Sequence, residues 1–222
     1  MKTLFVGLFV GLFVALILAN YGESSVASEG KDSPKAMVLN DPVTLEKILA
    51  EALEGNTFRK KGKEGEELYY ASNEQTPYTG WAKKMHDNGL LKELIQFKDG
   101  KLDGLSMLWY KNERKERQVN WKVGKREGLR TEWHRNGQKR TQEKYKDGKL
   151  DGLATIWYDN GQKKGEGRNV AGKLASAMAW KPNGEKCPFT NVKDGNGVVV
   201  LYDDDGREKE RFTFKEGEIV KD

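Results

Sequence analysis

The chain has 222 residues, 33% of them charged and 36% hydrophobic, with a net charge of +5. That balance excludes one large buried core and favours an array in which each unit buries apolar surface against its neighbours. A single cysteine, Cys187, excludes an internal disulfide, and no Cys/His cluster has zinc spacing.

Met1 to Ala19 reads as a targeting segment. Lys2 supplies a positive start, and Leu4 to Ala19 is an unbroken apolar run of 16 residues. That run slightly exceeds a signal-peptide core and falls a little short of a membrane span. Ser25-Val26-Ala27 is a small-residue cleavage site, so residues 1–27 are expected to be a signal peptide or an N-terminal membrane anchor. Gly7, Gly11, Ala15 and Ala19 would share one helix face, a spacing that packs membrane helices together. Either way the remainder is exported, soluble after cleavage or held at the inner membrane by residues 4–19. Residues 28–40 are polar and read as a flexible linker.

Residues 41–55 form the one convincing helix after the leader. Asn40 or Asp41 caps it, Pro42 suits its first position and Gly55 ends it. Leu45, Ile48, Leu49, Ala52 and Leu53 make one apolar stripe, which is expected to cap the end of the first hairpin that follows.

Residues 56–222 carry a repeat of 24 residues. Turn glycines fall at Gly100, Gly124, Gly148 and Gly172, strand tryptophans at Trp109, Trp133 and Trp157, and strand-opening glycines at Gly80, Gly104, Gly128 and Gly152. Three markers on one period mean stacked copies of one supersecondary unit. Leu153 to Tyr158 alternates as a strand does, and Asn160-Gly161 follows as a two-residue hairpin turn with positive φ at both central positions. Units 80–175 are regular, and 176–222 holds degenerate ones. Asn112-Glu113 replaces Asn-Gly in one unit and predicts a different turn type there. The fold class is therefore mainly β, an antiparallel β-hairpin array with one short capping helix.

Between units, Leu105, Met107, Trp109 and their counterparts Leu129, Thr131, Trp133 and Leu153, Thr155, Trp157 hardly vary. They are expected to be the structural face. Ser106, Leu108, Tyr110 and their counterparts vary freely, which makes Tyr110, Arg130, His134, Ile156 and Tyr158 the expected exposed partner-binding face. Residues 78–202 hold 26 Lys and Arg against 15 Asp and Glu, and Lys139, Arg140 and Lys144 form the expected basic patch.

Tyr158-Asp159-Asn160-Gly161-Gln162 and Lys146-Asp147-Gly148-Lys149-Leu150-Asp151-Gly152 resemble the MORN-repeat variant, over about residues 78–217. Pro77-Tyr78-Thr79-Gly80 resembles the entry motif of bacterial proteins labelled YwqK-type antitoxins. The resemblance implies hairpin scaffolds that bind proteins and, by some proposals, phospholipids. The antitoxin label implies a partner toxin.

Catalytic constellations are not readable. His86 and His134 lie two units apart, too far to share a metal, and read as stacking residues. Cys187 has no histidine in its unit and reads as a packed thiol. Asp203-Asp204-Asp205-Gly206 lacks calcium-loop spacing and reads as an acidic hairpin tip. The expectation is an exported, non-enzymatic scaffold without cofactor or metal that binds a partner protein in an antitoxin, immunity-like or envelope-scaffold role. The alternative is binding of anionic lipid or envelope polymer through the basic array. Nucleic acid is not an expected partner of an exported chain.

Overall fold

The computed structural model describes residues 41–63 and 67–220. The targeting segment expected at 1–27 and the linker at 28–40 lie outside the described residues. The chain is mainly β and divides into two compact units, one ending at Arg114 and one beginning at Lys115.

In the first unit, helix α1 (Pro42–Glu51) is capped as its sequence predicts. The Asp41 carboxylate accepts the Thr44 amide at 3.0 Å, satisfying one of the orphan donors of the first turn. The helix stops short of the expected Gly55, because Ala52 turns extended at φ −69 and ψ 130. Leu53–Glu54 then form strand β1, paired in parallel with Ala82 and Lys83 of β4 (Gly80–Met85). The exposed edge of a sheet needs its backbone groups paired, and β1 supplies that here. The expected end cap is thus a strand, while α1 lies across a face.

That face belongs to a meander of β4, β5 (Leu91–Lys98) and β6 (Lys101–Trp109), antiparallel and in chain order. Leu45 and Ala52 of α1 pack with Leu91, Leu94, Leu105, Met107 and Trp109 in one buried cluster, with Ile48, Leu49 and Trp81 against it. Lys83 reaches up to the helix end, donating to the Leu49 carbonyl at 2.8 Å, where unpaired helix carbonyls favour a cation. The opposite face of β5 presents Phe97 to a hairpin of β2 (Phe58–Lys61) and β3 (Leu68–Ala71). There Phe58 and Tyr69 lie 5.6 and 5.1 Å from the Phe97 ring centre.

The second unit continues as β7 (Lys115–Lys122), β8 (Lys125–Trp133), β9 (Lys139–Lys146), β10 (Lys149–Trp157), β11 (Lys163–Val170) and β12 (Lys173–Ala179), each antiparallel to the next. The last stretch departs from the row: β13 (Gly197–Tyr202), β14 (Glu208–Lys215) and β15 (Glu218–Val220) form a separate three-stranded sheet.

Two turn types alternate, and they are the reverse of the expected assignment. The two-residue turns with positive φ at both positions are Asp99-Gly100, Val123-Gly124, Asp147-Gly148 and Ala171-Gly172, with Asp194-Gly195 and Glu216-Gly217 in the C-terminal stretch. At the Asn-Gly tips only the glycine is left-handed, as at Gly137 with φ 91. His134 N–H donates to Gln138 O at 2.8 Å and Gly137 N–H to His134 O at 2.9 Å, the pattern of a type I turn closed by a glycine bulge. Asn136 contributes its side chain: Oδ1 accepts the Gln138 amide at 3.0 Å. The Asn112-Glu113 tip, expected to differ, makes the same bonds. Tyr110 N–H donates to Arg114 O, and Asn112 Oδ1 accepts the Arg114 amide at 3.3 Å. Glu113 is thereby held at φ 66.

The strand-opening glycines Gly104, Gly128 and Gly152 sit in bulges, whereas Gly80 pairs in register with Phe97. Opposite Asn120 the ladder skips from Trp121–Arg126 to Val119–Arg130, and Gly128 in the gap has φ 86. At three of the strand-opening glycines the residue before the glycine accepts the first amide of a turn one repeat on. Glu127 accepts from Asp147 at 2.9 Å, Asp151 from Ala171 at 3.3 Å and, in the first unit, Thr79 from Asp99 at 2.8 Å. These bonds are the physical content of the 24-residue rhythm.

Left-handed backbone costs a non-glycine residue about 1 kcal/mol, and more for a β-branched one. Glu113→Gly and Val123→Asn should therefore each stabilise the chain by about 0.5–1 kcal/mol. Thermal unfolding should show a higher midpoint for both. Leu45→Ala should cost about 2–4 kcal/mol by emptying the seat of α1.

Candidate functional site

Pairing fixes which residues share a face in the second unit. Leu129–Lys144, Thr131–Gln142, Leu153–Arg168 and Thr155–Glu166 are cross-strand partners on one side of the sheet. Arg130–Glu143, Ala154–Gly167 and Ile156–Gly165 are partners on the other.

The exposure of the two faces differs from the expectation here. Tyr158, expected on an exposed recognition surface, is only 2% exposed. Its hydroxyl donates to the Trp180 carbonyl at 2.8 Å. Ile156 is half-buried, and Leu201 of β13 approaches to 3.5 Å of where a Cβ on Gly165 would stand. The small residues Gly165, Gly167, Ala177 and Ala179 leave room for β13 to close over this side. Beneath it Ala179, Cys187, Val200 and Tyr202 form a buried cluster, with the Cys187 thiol 3.3 Å from the Tyr202 hydroxyl. Burial, then the nearby Asp204 carboxylate, pushes the Tyr158 phenol up to about 12. Tyr202 also rises to about 12, through its hydrogen bond to Cys187 and then burial.

The other expected contact residues are separated or engaged. Tyr110 lies in the first unit, half-buried at a hairpin tip. Arg130 is half-buried and ion-paired with both Glu132 and Glu143. Glu143 also accepts from the Tyr145 hydroxyl at 3.1 Å, and Arg126 donates to that hydroxyl at 3.1 Å. His134 Nε2 meets the Trp157 carbonyl at 3.2 Å, as His86 Nε2 meets that of Trp109 at 2.9 Å. Both histidines, expected to stack, instead tie one repeat to the next, and Tyr158 does the same through its hydroxyl. His134, Ile156 and Tyr158 do converge, lining a cleft of about 490 Å³ with Arg140, Lys164 and Lys209. The basic patch is divided. Arg140 faces that cleft and lies 3.9 Å from Glu132, Lys139 sits 5.8 Å above the Trp157 ring, and Lys144 lies across from Leu129.

What is open is the face expected to be structural. Leu129 is 40% and Leu153 53% exposed, whereas Leu105 in the equivalent slot of the first unit is 1% exposed. Thr131 and Thr155 are buried between them and the half-buried Trp133 and Trp157. Lys115 and Lys139 lie 5.8 Å above the rings of Trp133 and Trp157, a cation–π arrangement. At the opposite strand ends Lys122–Lys125 and Lys146–Lys149 are cross-strand pairs, all exposed. The face is mixed: Leu129 and Leu153 alternate with the exposed Lys144 and Arg168 over a polar floor, between two rows of lysine. The signal that it stands uncovered is in the sequence: threonine replaces Met107 at positions 131 and 155.

Among the described residues no three His, Cys, Asp or Glu side chains gather as a metal site, and no helix is long and apolar enough to cross a membrane.

The folded phenol of Tyr158 titrates above the usual value of 10, so its stabilising contribution is complete below pH 10 and lost as pH rises through about 12. Tyr158→Phe should cost about 1 kcal/mol at neutral pH and flatten part of that alkaline loss, read by denaturant unfolding across pH 9–12. Compared with known proteins, the sequence matches no family model and no curated protein.

Proposed function

We propose that the chain is a non-catalytic, MORN-like repeat scaffold, exported by its leader, that binds a partner protein. The carrying observation is that Leu129 and Leu153 stand exposed on one face of the second unit, while Leu105 in the equivalent slot of the first unit is buried under α1. Exposed leucines gathered on one face with half-buried tryptophans and cations suit an interaction site. The partner class remains that of the family resemblance, a toxin or an envelope protein. The paired lysine rows favour one second reading, contact with anionic lipid or an anionic envelope polymer.

A photoreactive residue at position 153 of the full chain in its native cell separates the two. Adducts to protein that vanish in a Leu129→Ser background support the scaffold. Adducts to lipid or polymer, together with salt-sensitive flotation on anionic vesicles, support the second reading. Leu129→Ser should leave the thermal midpoint nearly unchanged, because the side chain it removes is substantially exposed.

A further inference from the structure

The sheet faces of the two units can be compared slot by slot. Trp81, Leu105, Leu129 and Leu153 are one slot at intervals of 24; Leu94, Gln118, Gln142 and Glu166 are another. In the first unit these slots, with Met107, seat helix α1 through Leu45 and Ala52. The second unit offers the same backbone register with its leucines kept and exposed and its floor turned polar.

We infer that this face seats a second helix, supplied by the partner protein, amphipathic and acidic along both flanks. The inference rests on the protein-binding reading above and specifies its ligand. Three observations carry it. The backbone groups of β8 to β11 are paired within the sheet, so an extended segment laid on the face would leave its own peptide groups unpaired, whereas a helix satisfies them internally. The face already binds a helix where one is tethered. Its two borders are lysine, Lys115 and Lys139 at one end of the strands and Lys122, Lys125, Lys146 and Lys149 at the other, and Lys144 and Arg168 stand beside the leucines, which complements a helix with glutamate on both flanks of its leucines. The first unit sets the precedent for such pairing, since Lys83 holds the Leu49 carbonyl of α1 and lies 3.7 Å from Glu54 just beyond it. The face from β8 to β12 extends about 19 Å, which fits a helix of about 13 residues. Lys144 and Arg168 in the leucine row and Gln142 and Thr155 on the floor call for one or two polar or acidic residues within the helix stripe, unlike the apolar stripe of α1.

The test uses the purified full chain and labelled 16-residue peptides. One is an amphipathic helix with leucine on one stripe and glutamate on both flanks. The second carries lysine for every glutamate, and the third has a central proline. Fluorescence anisotropy should show binding of the acidic helix, weaker by at least about tenfold for the lysine and proline peptides. Leu153→Glu should weaken it by at least about tenfold and Lys146→Glu by a few-fold, with unchanged thermal midpoints as proof of folding. Equal affinity for the three peptides, no binding of any, or affinity untouched by Leu153→Glu would overturn the inference. Protein adducts at position 153 together with that outcome would leave the scaffold reading standing and remove only the helix. Absence of protein adducts would end both.

Discussion

A turn amide that finds its acceptor one repeat away is the bond on which the architecture depends. Two-residue turns point their first N–H outward, where it would otherwise meet only water. Glu127 and Asp151 take it, twenty residues earlier in sequence. At both sites the acidic residue opens a bulge whose glycine, Gly128 or Gly152, has positive φ. The tips at the other end of the strands repeat the logic with different groups. His134 and Tyr158 reach the carbonyls of Trp157 and Trp180, and Asn136 and Asn160 reach those of Asp159 and Pro182. A hairpin alone is marginal in water; cross-repeat bonds at both ends make the row cooperative.

Growth by repetition leaves two faces to dispose of, and the units do so differently. The first is covered on both sides, by α1 on Leu94 and Met107 and by the β2–β3 hairpin on Phe97. The second is covered on one side, where the C-terminal sheet closes over Ile156 and Tyr158. Composition follows the covering. Position 107 is methionine beneath the helix, and positions 131 and 155 are threonine where no described element lies above. The surface left over is rich in tryptophan, leucine and lysine, residues suited to contact rather than solvation alone.

Much of this fold was legible in the residues. The period, the strands and the Asp41 cap follow from glycine, tryptophan and capping chemistry acting locally. Turn types were not, because Asn-Gly suits two geometries and the choice depends on whether Asn contributes its backbone or its Oδ1. The helix end was misplaced because Gly55 is a plausible stop in isolation, and only the open edge of β4 explains why Leu53 and Glu54 become a strand. The exposure of the two faces was misjudged for a related reason. Invariance between repeats reports what the repeat needs, not what lies above it. Tyr158 varies from His134 in identity while keeping its tether, and the small residues at 165, 167, 177 and 179 reveal the covering sheet only once it is known to fold back.

One sheet face is closed in the first unit, and its counterpart in the second unit exposes Leu129 and Leu153. Hydroxyl-radical footprinting of the purified chain, read residue by residue, measures this directly. It should find Leu105, Met107 and Trp109 protected while Leu129 and Leu153 label readily. Equal protection of Leu129, Leu153 and Leu105 would contradict it.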